Sequence, residues 1–232
     1  MASTVRTLLP NLLTLGNLAA GSWAIALSYQ QEWILFAAAL GIAMACDWLD
    51  GFTARLLHAE SPLGKELDSL ADLVSFGIAP AFGLYNYLRE PLPLLPYERE
   101  WRAWMVLAPF ALPLLAAWRL ARFTVEENPD KRFFSGLPTP AQGAFWAIWL
   151  LTGPQGPWLH PLVWMGFIAL MGLAMVSRWP FLTLKSRSNL PWFLSLVVVG
   201  GAVLVFLPPP AWSPALLLTY ALLSRLARLT PP

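Results

Sequence analysis

The chain has 232 residues, of which 57% are hydrophobic and 12% charged, with 13 Trp, a net charge of +2 and a mean hydropathy of +0.57. A soluble domain carries about 25% charged residues, so this composition excludes an ordinary soluble fold and points to a membrane protein. The small net charge, without any basic run interleaved with aromatics, excludes a nucleic-acid partner; the single cysteine, Cys46, excludes an internal disulfide, and His58 and His160 lack zinc-ligand spacing.

A bilayer core takes about 20 residues of apolar helix. Such stretches lie near 8–28, 33–54, 66–88, 103–123, 138–153, 158–176, 190–207 and 211–226. The fold class is therefore all-α, a polytopic membrane bundle of about eight transmembrane helices. Arg6 ahead of the first apolar run imitates a signal peptide, but the seven apolar segments that follow favour an uncleaved first span. Pro91, Pro93 and Pro96 break helix in 89–102, where charges also cluster, so that stretch reads as a loop. The stretch 124–137, TVEENPDKRFFSGL, reads as a second loop, and the links 153–157 and 208–213 are short and rich in Gly and Pro. RLAR at 119–122 recurs at 225–228, each time closing a span; a shared interfacial role explains the two copies as well as a repeat does. Trp101, Trp104, Trp158, Trp179, Trp192 and Trp212 read as an interfacial belt. With eight spans both termini share one side. Of the fifteen Lys and Arg, only Arg89, Arg99 and Arg102 fall on the other side. That excess places the termini, and the 47–72 segment with them, in the cytosol.

The segment DWLDGFTARLLHAESPLGKELDSLAD, from Asp47 to Asp72, puts four aspartates at the mouths of two apolar stretches. Asp47, Asp50, Gly51, Ala54 and Arg55 fall on one face of a helix, and Gly64, Asp68 and Asp72 on one face of the next. The short link at 56–63 makes the two helices antiparallel neighbours, so the faces look at each other. Each Asp pair spans about one turn, roughly 5 to 6 Å. Like charges at that range repel, and hard divalent cations relieve the repulsion because carboxylate oxygens are their preferred ligands. Four aspartates could hold two such ions about 3.5–4 Å apart, and a cation pair recruits phosphate. Gly51 and Gly64 remove side chains where a ligand approaches, and Arg55 can fork onto a phosphate or the outer carboxylates. A single Asp at a helix mouth is usually a solvated end or a cap; four on converging faces are not, since acids inside a membrane are functional by default. A proton or cation relay is the other functional reading, and a divalent-cation transporter the non-enzyme rival. A relay calls for ionisable residues deeper in the spans, and the other spans have none near their centres.

The segment resembles the signature of the CDP-alcohol phosphotransferase family, D-x2-D-G-x2-A-R-x8-G-x3-D-x3-D. It is met here by Asp47, Asp50, Gly51, Ala54, Arg55, Gly64, Asp68 and Asp72 with every spacing kept. Looser similarity to the branch that uses serine as acceptor is carried by LPNLLTLGNLAAG at 9–21, ADLVSFGIAPA at 71–81, RLARF at 119–123, FFSGLPTPA at 133–141 and LMGLAMVSRWPFLTLK at 170–185. The resemblance implies a conserved six-helix core over 1–187, with 188–232 as additional C-terminal transmembrane helices. It implies transfer of a phosphatidyl group from CDP-diacylglycerol to L-serine with release of CMP, Mg²⁺ or Mn²⁺ in a two-metal site on Asp47, Asp50, Asp68 and Asp72, and a homodimer in the lipid bilayer of a cell inner membrane. Asp72, with Asp68 beside it, is implied as catalytic: Asp72 resembles the family's general base, with a purely structural metal ligand as the alternative. Gly51, Ala54, Arg55 and Gly64 would line the CDP-diacylglycerol pocket.

Other residues have two readings each. Asn11, Thr14 and Asn17 lie along one face of the first span. They could touch the nucleotide, while Asn11 could instead cap a helix after Pro10. Arg119 and Arg122, with Lys131, could hold the acceptor's carboxylate or the donor's phosphates, or simply anchor the cytosolic surface; Arg132, Arg178 and Lys185 extend that basic rim. Ser75 and Ser135 could bond the acceptor, though helix packing is the commoner role. Glycerol 3-phosphate, inositol phosphate and an archaeal ether-lipid donor remain alternative substrates.

Overall fold

The computed structural model describes residues 2–89, 102–126, 133–153, 160–183 and 189–229. The predicted loop at 89–102 and the link at 153–157 fall largely outside these residues, as do Lys131, Arg132 and Lys185. Every stretch predicted as a span is helical over most of its described residues. Helix α1 (Ala2–Tyr29) and α2 (Trp33–Leu56) form an antiparallel hairpin. Ser61 then caps α3 (Pro62–Asp72), its Oγ accepting from the Gly64 N–H at 3.0 Å, with Pro62 at the first helical position. Helix α3 runs without a break through a π-helical turn, Leu73–Ile78, into α4 (Ala79–Arg89). A short α5 (Arg102–Leu107) and a 3₁₀ turn at Ala108–Phe110, where Pro109 removes a backbone donor, lead into α6 (Ala111–Val125). Then follow α7 (Thr139–Thr152), α8 (Pro161–Val176), α9 (Leu190–Phe206) and α10 (Trp212–Leu229). Among the described residues, four helical stretches are long and apolar enough to cross a membrane: Thr7–Tyr29, Trp33–Leu56, Pro62–Arg89 and Ala103–Val125. Leu162–Val176 and Pro191–Phe206 are shorter apolar helices. The protein is an all-α polytopic membrane bundle.

The end of the predicted loop at 124–137 is not a loop. Phe133–Ser135 forms a strand, β1, paired antiparallel with β2 (Pro180–Leu182), Phe134 opposite Phe181. The pair covers the ends of α6 and α8. Two interactions hold it. Tyr220 Oη donates to the Leu182 carbonyl at 2.7 Å, and the Leu182 N–H donates to Ser224 Oγ at 3.0 Å. Both partners lie on α10, so the last helix is tied to this hairpin. Its tether also runs through Gly136, whose N–H donates to the Trp179 carbonyl at 2.9 Å.

The core runs between α2, α4, α6, α7 and α8, where Phe36, Leu84, Leu112, Trp146, Trp149 and Trp164 are fully buried. Lipid tails are as apolar as these side chains, so helices in a bilayer associate through close packing and interhelical hydrogen bonds rather than through the hydrophobic effect. Both devices are present. A Cβ on Gly21 would stand 2.1 Å from Ser75 Oγ, so α1 meets the π-helical turn backbone to side chain. Away from that contact, Asn86 Nδ2 donates to Ser28 Oγ at 2.9 Å and joins α4 to α1.

Gly136 is constrained both by its backbone conformation and by its neighbours. Its φ is +82°, and a Cβ there would lie 2.3 Å from the Met175 carbonyl oxygen. Gly136→Ala should therefore cost about 1–3 kcal/mol and lower the melting temperature in detergent. Unchanged melting would mean that the hairpin contributes nothing to stability.

Candidate active site

The end of α2 and the start of α3 bring three carboxylates together. One oxygen from each of Asp47, Asp50 and Asp68 lies within 4.8 Å of the other two. The two predicted helix faces do converge, because the short link after Leu56 turns the chain back on itself. Gly51 leaves room for the Arg55 guanidinium, whose Nη1 is 3.3 Å from where a Cβ would stand. A Cβ on Gly64 would sit 3.1 Å from Asn11 Oδ1, so this glycine admits the side chain of α1. Asn11 lies well inside α1, which begins at Ala2, so it caps nothing. The structure places it against the carboxylate helices instead.

Helix α1 supplies the carboxylates with donors. Thr14 Oγ1 is 2.6 Å from Asp50 Oδ2 and 3.1 Å from the Pro10 carbonyl. Asn17 Nδ2 donates to Asp72 Oδ1 at 3.2 Å, and the Asn17 carbonyl accepts from Ser75 Oγ at 2.9 Å. Ser75 thus joins the π-helical turn to α1. Asp72 stands apart from the group of three. It is buried, and its second oxygen, Oδ2, accepts from Thr139 Oγ1 at 3.2 Å. Thr139 opens α7 and did not stand out in the sequence beyond its place in FFSGLPTPA.

The two arginines of RLAR separate. Arg119 is buried, its Nη1 is 3.4 Å from Thr139 Oγ1, and its Nε has no hydrogen-bond partner among the described residues. Arg122 turns to the end of α8. It donates to the carbonyls of Val176 at 2.7 Å and Ser177 at 3.2 Å, with Ser135 at 3.5 Å, and pairs with Glu126 at 3.8 Å. Cations at a helix C-terminus satisfy its last carbonyls and its dipole. Arg178, largely exposed, meets Glu126 at 3.9 Å.

A cavity of about 490 Å³ joins these parts, within the usual size of a small-molecule site. Asp47, Asp50, Asp68, Asp72, Arg55 and Arg119 line its polar side. Phe134, Leu182, Phe193, Leu196 and Tyr220 line its apolar side. Phe193 and Leu196 come from α9 and Tyr220 from α10. Sequence reasoning missed all three; for Phe193 and Leu196 the cause is that α9 is apolar all round, so no periodicity marks which face is internal. Ala54 and Gly64 are not in the cavity wall, and neither is Arg122.

Three oxygen donors at this spacing suit a hard divalent cation, and no softer ligand is among them. The residues therefore fit a divalent metal ion. Its charge would offset the mutual repulsion of the cluster.

The family described as CDP-alcohol phosphatidyltransferase matches residues 7–180. The chain is 31% identical over 204 residues to the CDP-diacylglycerol–serine O-phosphatidyltransferase of Helicobacter pylori, covering 86% of this chain and 80% of that one. It is 31% identical over 217 residues to the protein of that name from Mycobacterium leprae, covering 87% and 68%. The one from Bacillus subtilis is 34% identical over 138 residues, covering 58% and 71%.

The group of three contains Asp68 and not Asp72. Asp68→Asn should weaken Mn²⁺ binding, read by electron paramagnetic resonance, at least about tenfold, and Asp72→Asn by less than about threefold. Equal losses would put all four aspartates on the cation.

Proposed function

The chain belongs to the CDP-alcohol phosphatidyltransferase family, and within it we propose that the protein transfers the phosphatidyl group of CDP-diacylglycerol to the hydroxyl of L-serine, releasing CMP. Arg119 is the observation that carries the serine reading. It is buried in the wall of the cavity that holds the carboxylates, and among the described residues its Nε has no hydrogen-bond partner. A planar guanidinium with an N–H to spare suits a carboxylate. Glycerol 3-phosphate or inositol phosphate would bring another phosphate and ask for more positive charge. Among the described residues, Arg55 is the other arginine in the cavity wall. The names of the relatives support the same acceptor. Cation transport would instead need ionisable groups along a path through the bundle. The buried charged residues among those described, Asp50, Asp72 and Arg119, all border the one cavity.

In this reading Asp47, Asp50 and Asp68 would hold Mg²⁺ or Mn²⁺, which when bound would supply positive charge against the diphosphate and the developing charge on CMP. Arg55 and the Gly51 backbone face the diphosphate, with Asn11, Thr14, Ala54 and Gly64 supporting that side. Arg119 holds the carboxylate of serine. The serine hydroxyl oxygen bonds to the phosphorus that carries diacylglycerol. The bond from that phosphorus to the CMP oxygen breaks, and its electron pair leaves with CMP. Asp72 takes the hydroxyl proton. The apolar wall from Phe193, Leu196 and Tyr220 faces the lipid part of the donor, since neither serine nor a diphosphate suits an apolar surface. The Lys and Arg excess puts this end of the bundle in the cytosol, where serine is dissolved.

Purified protein with CDP-diacylglycerol and Mn²⁺ should release CMP on addition of serine and not of glycerol 3-phosphate, inositol phosphate or inositol. Release with a phosphorylated alcohol alone keeps the family and removes serine. Arg119→Gln should raise the KM for serine about 10- to 100-fold, the loss of a charged hydrogen bond, with the donor KM unchanged. Leu196→Trp, which fills the apolar side, should raise the KM for a long-chain donor and not for serine. Leu194→Trp, on the exposed side of α9, is its control. Equal effects of the two would detach α9 from the donor.

A further inference from the structure

We infer that Thr139 is a positioning residue, whose hydroxyl orients the Asp72 carboxylate through a hydrogen-bonded chain from Arg119 through Thr139 and Asp72 to Asn17. The inference rests on Asp72 as the base, and it adds the groups that aim it.

The direction of the chain follows from its donors. A guanidinium can only donate, so at the Arg119 contact Thr139 Oγ1 accepts. A hydroxyl has one proton, and the remaining neighbour of Thr139 Oγ1 is Asp72 Oδ2 at 3.2 Å. Its proton therefore points at the carboxylate. On the other oxygen, Asn17 Nδ2 donates at 3.2 Å. Each Asp72 oxygen thus holds one donor from a neutral side chain, one from α1 and one from α7. Two donors on opposite oxygens fix the carboxylate plane, while each oxygen keeps lone-pair capacity for a further proton.

The surrounding chain is built to deliver this one hydroxyl. Thr139 is the first residue of α7 and Pro138 holds the N-cap position, so its hydroxyl is not a cap. The Thr139 hydroxyl crosses to Asp72 of α3 instead. Four constraints set where α7 begins. Strand β1 is paired to β2. Gly136 takes a left-handed conformation that a Cβ would block. The Leu137 N–H donates to the Ala174 carbonyl at 2.9 Å. Pro138 holds an extended backbone just before the helix. Tyr220 and Ser224 of α10 anchor the hairpin from behind. The stretch FFSGLPTPA, which the reaction itself leaves without a role, is a bracket for Thr139. Thr139 also bonds both Arg119 and Asp72, so it joins the proposed acceptor site to the base.

Thr139→Val keeps the shape and removes the hydroxyl. It should lower kcat for serine-dependent CMP release about 10- to 100-fold, as loss of a supporting hydrogen bond does. The KM for CDP-diacylglycerol, the melting temperature and calorimetric binding of CDP should stay as in the parent protein. Thr139→Ser should restore kcat to within about threefold, since the hydroxyl is back. In an Asp72→Asn background, Thr139→Val should cost nothing further, because the two act as a unit. A Thr139→Val protein with normal kcat and a raised serine KM would make Thr139 an acceptor contact and overturn the inference. A Thr139→Ser protein as impaired as Thr139→Val would do so too, by showing that the hydroxyl is not what matters. A parent protein that releases no CMP with serine fails the acceptor reading instead. The kcat comparison then moves to whichever alcohol does react.

Discussion

Carboxylates crowded at the end of an apolar bundle impose the constraint around which this protein is arranged. Three of them share a space in which their oxygens lie within 4.8 Å of one another, and a fourth is buried beside them. Such charges are costly away from water unless they are paired or coordinated. The protein meets the cost in three ways. It gives Asp50 and Asp72 hydroxyl and amide donors from α1 and α7. It keeps a cation-ready set of oxygens at the group of three. It places the whole constellation at an end of the bundle, where α2 finishes and α3 starts. The glycines of the segment leave room beside the carboxylates for the Arg55 and Asn11 side chains.

The same constraint explains the irregular backbone. An α-helix that begins at Pro62 passes into a π-helical turn directly after Asp72. Such turns are rare and often sit at functional sites. This one presents Ser75 to the Asn17 carbonyl, so the residue that donates to Asp72 is itself anchored to the turn that follows Asp72. The local arrangement is closed on itself, and a displaced Asp72 would disturb α1 as well as α3.

The family match ends at residue 180, before α9 begins, yet the cavity does not. Phe193, Leu196 and Tyr220 close its apolar side, and α10 tethers the strand pair. The C-terminal pair of helices is therefore part of the site's wall. The two arginines of RLAR divide their work in a similar way. Arg119 points into the cavity, and Arg122 secures the end of α8 against the hairpin. A single turn of helix separates a cavity charge from a structural one.

What the sequence alone determined is what depends on near neighbours along the chain. Apolar runs located the spans, which are helical over most of their described residues, and the 3.6-residue period put Asp47 with Asp50 and Asp68 with Asp72 on facing surfaces. A short link was enough to bring those surfaces together. What tertiary structure decided depends on residues far apart in sequence. Asp72 and Thr139 are 67 positions apart, Leu182 and Ser224 are 42. Nothing local distinguishes Thr139 from a helix-start threonine, or Arg122 from Arg119. Phe193 and Leu196 sit in a helix that is apolar on every face, since lipid and protein interior make the same demand on a side chain. In a bilayer the period that reveals a buried face in water is erased, and only the packed partners show which side is inside.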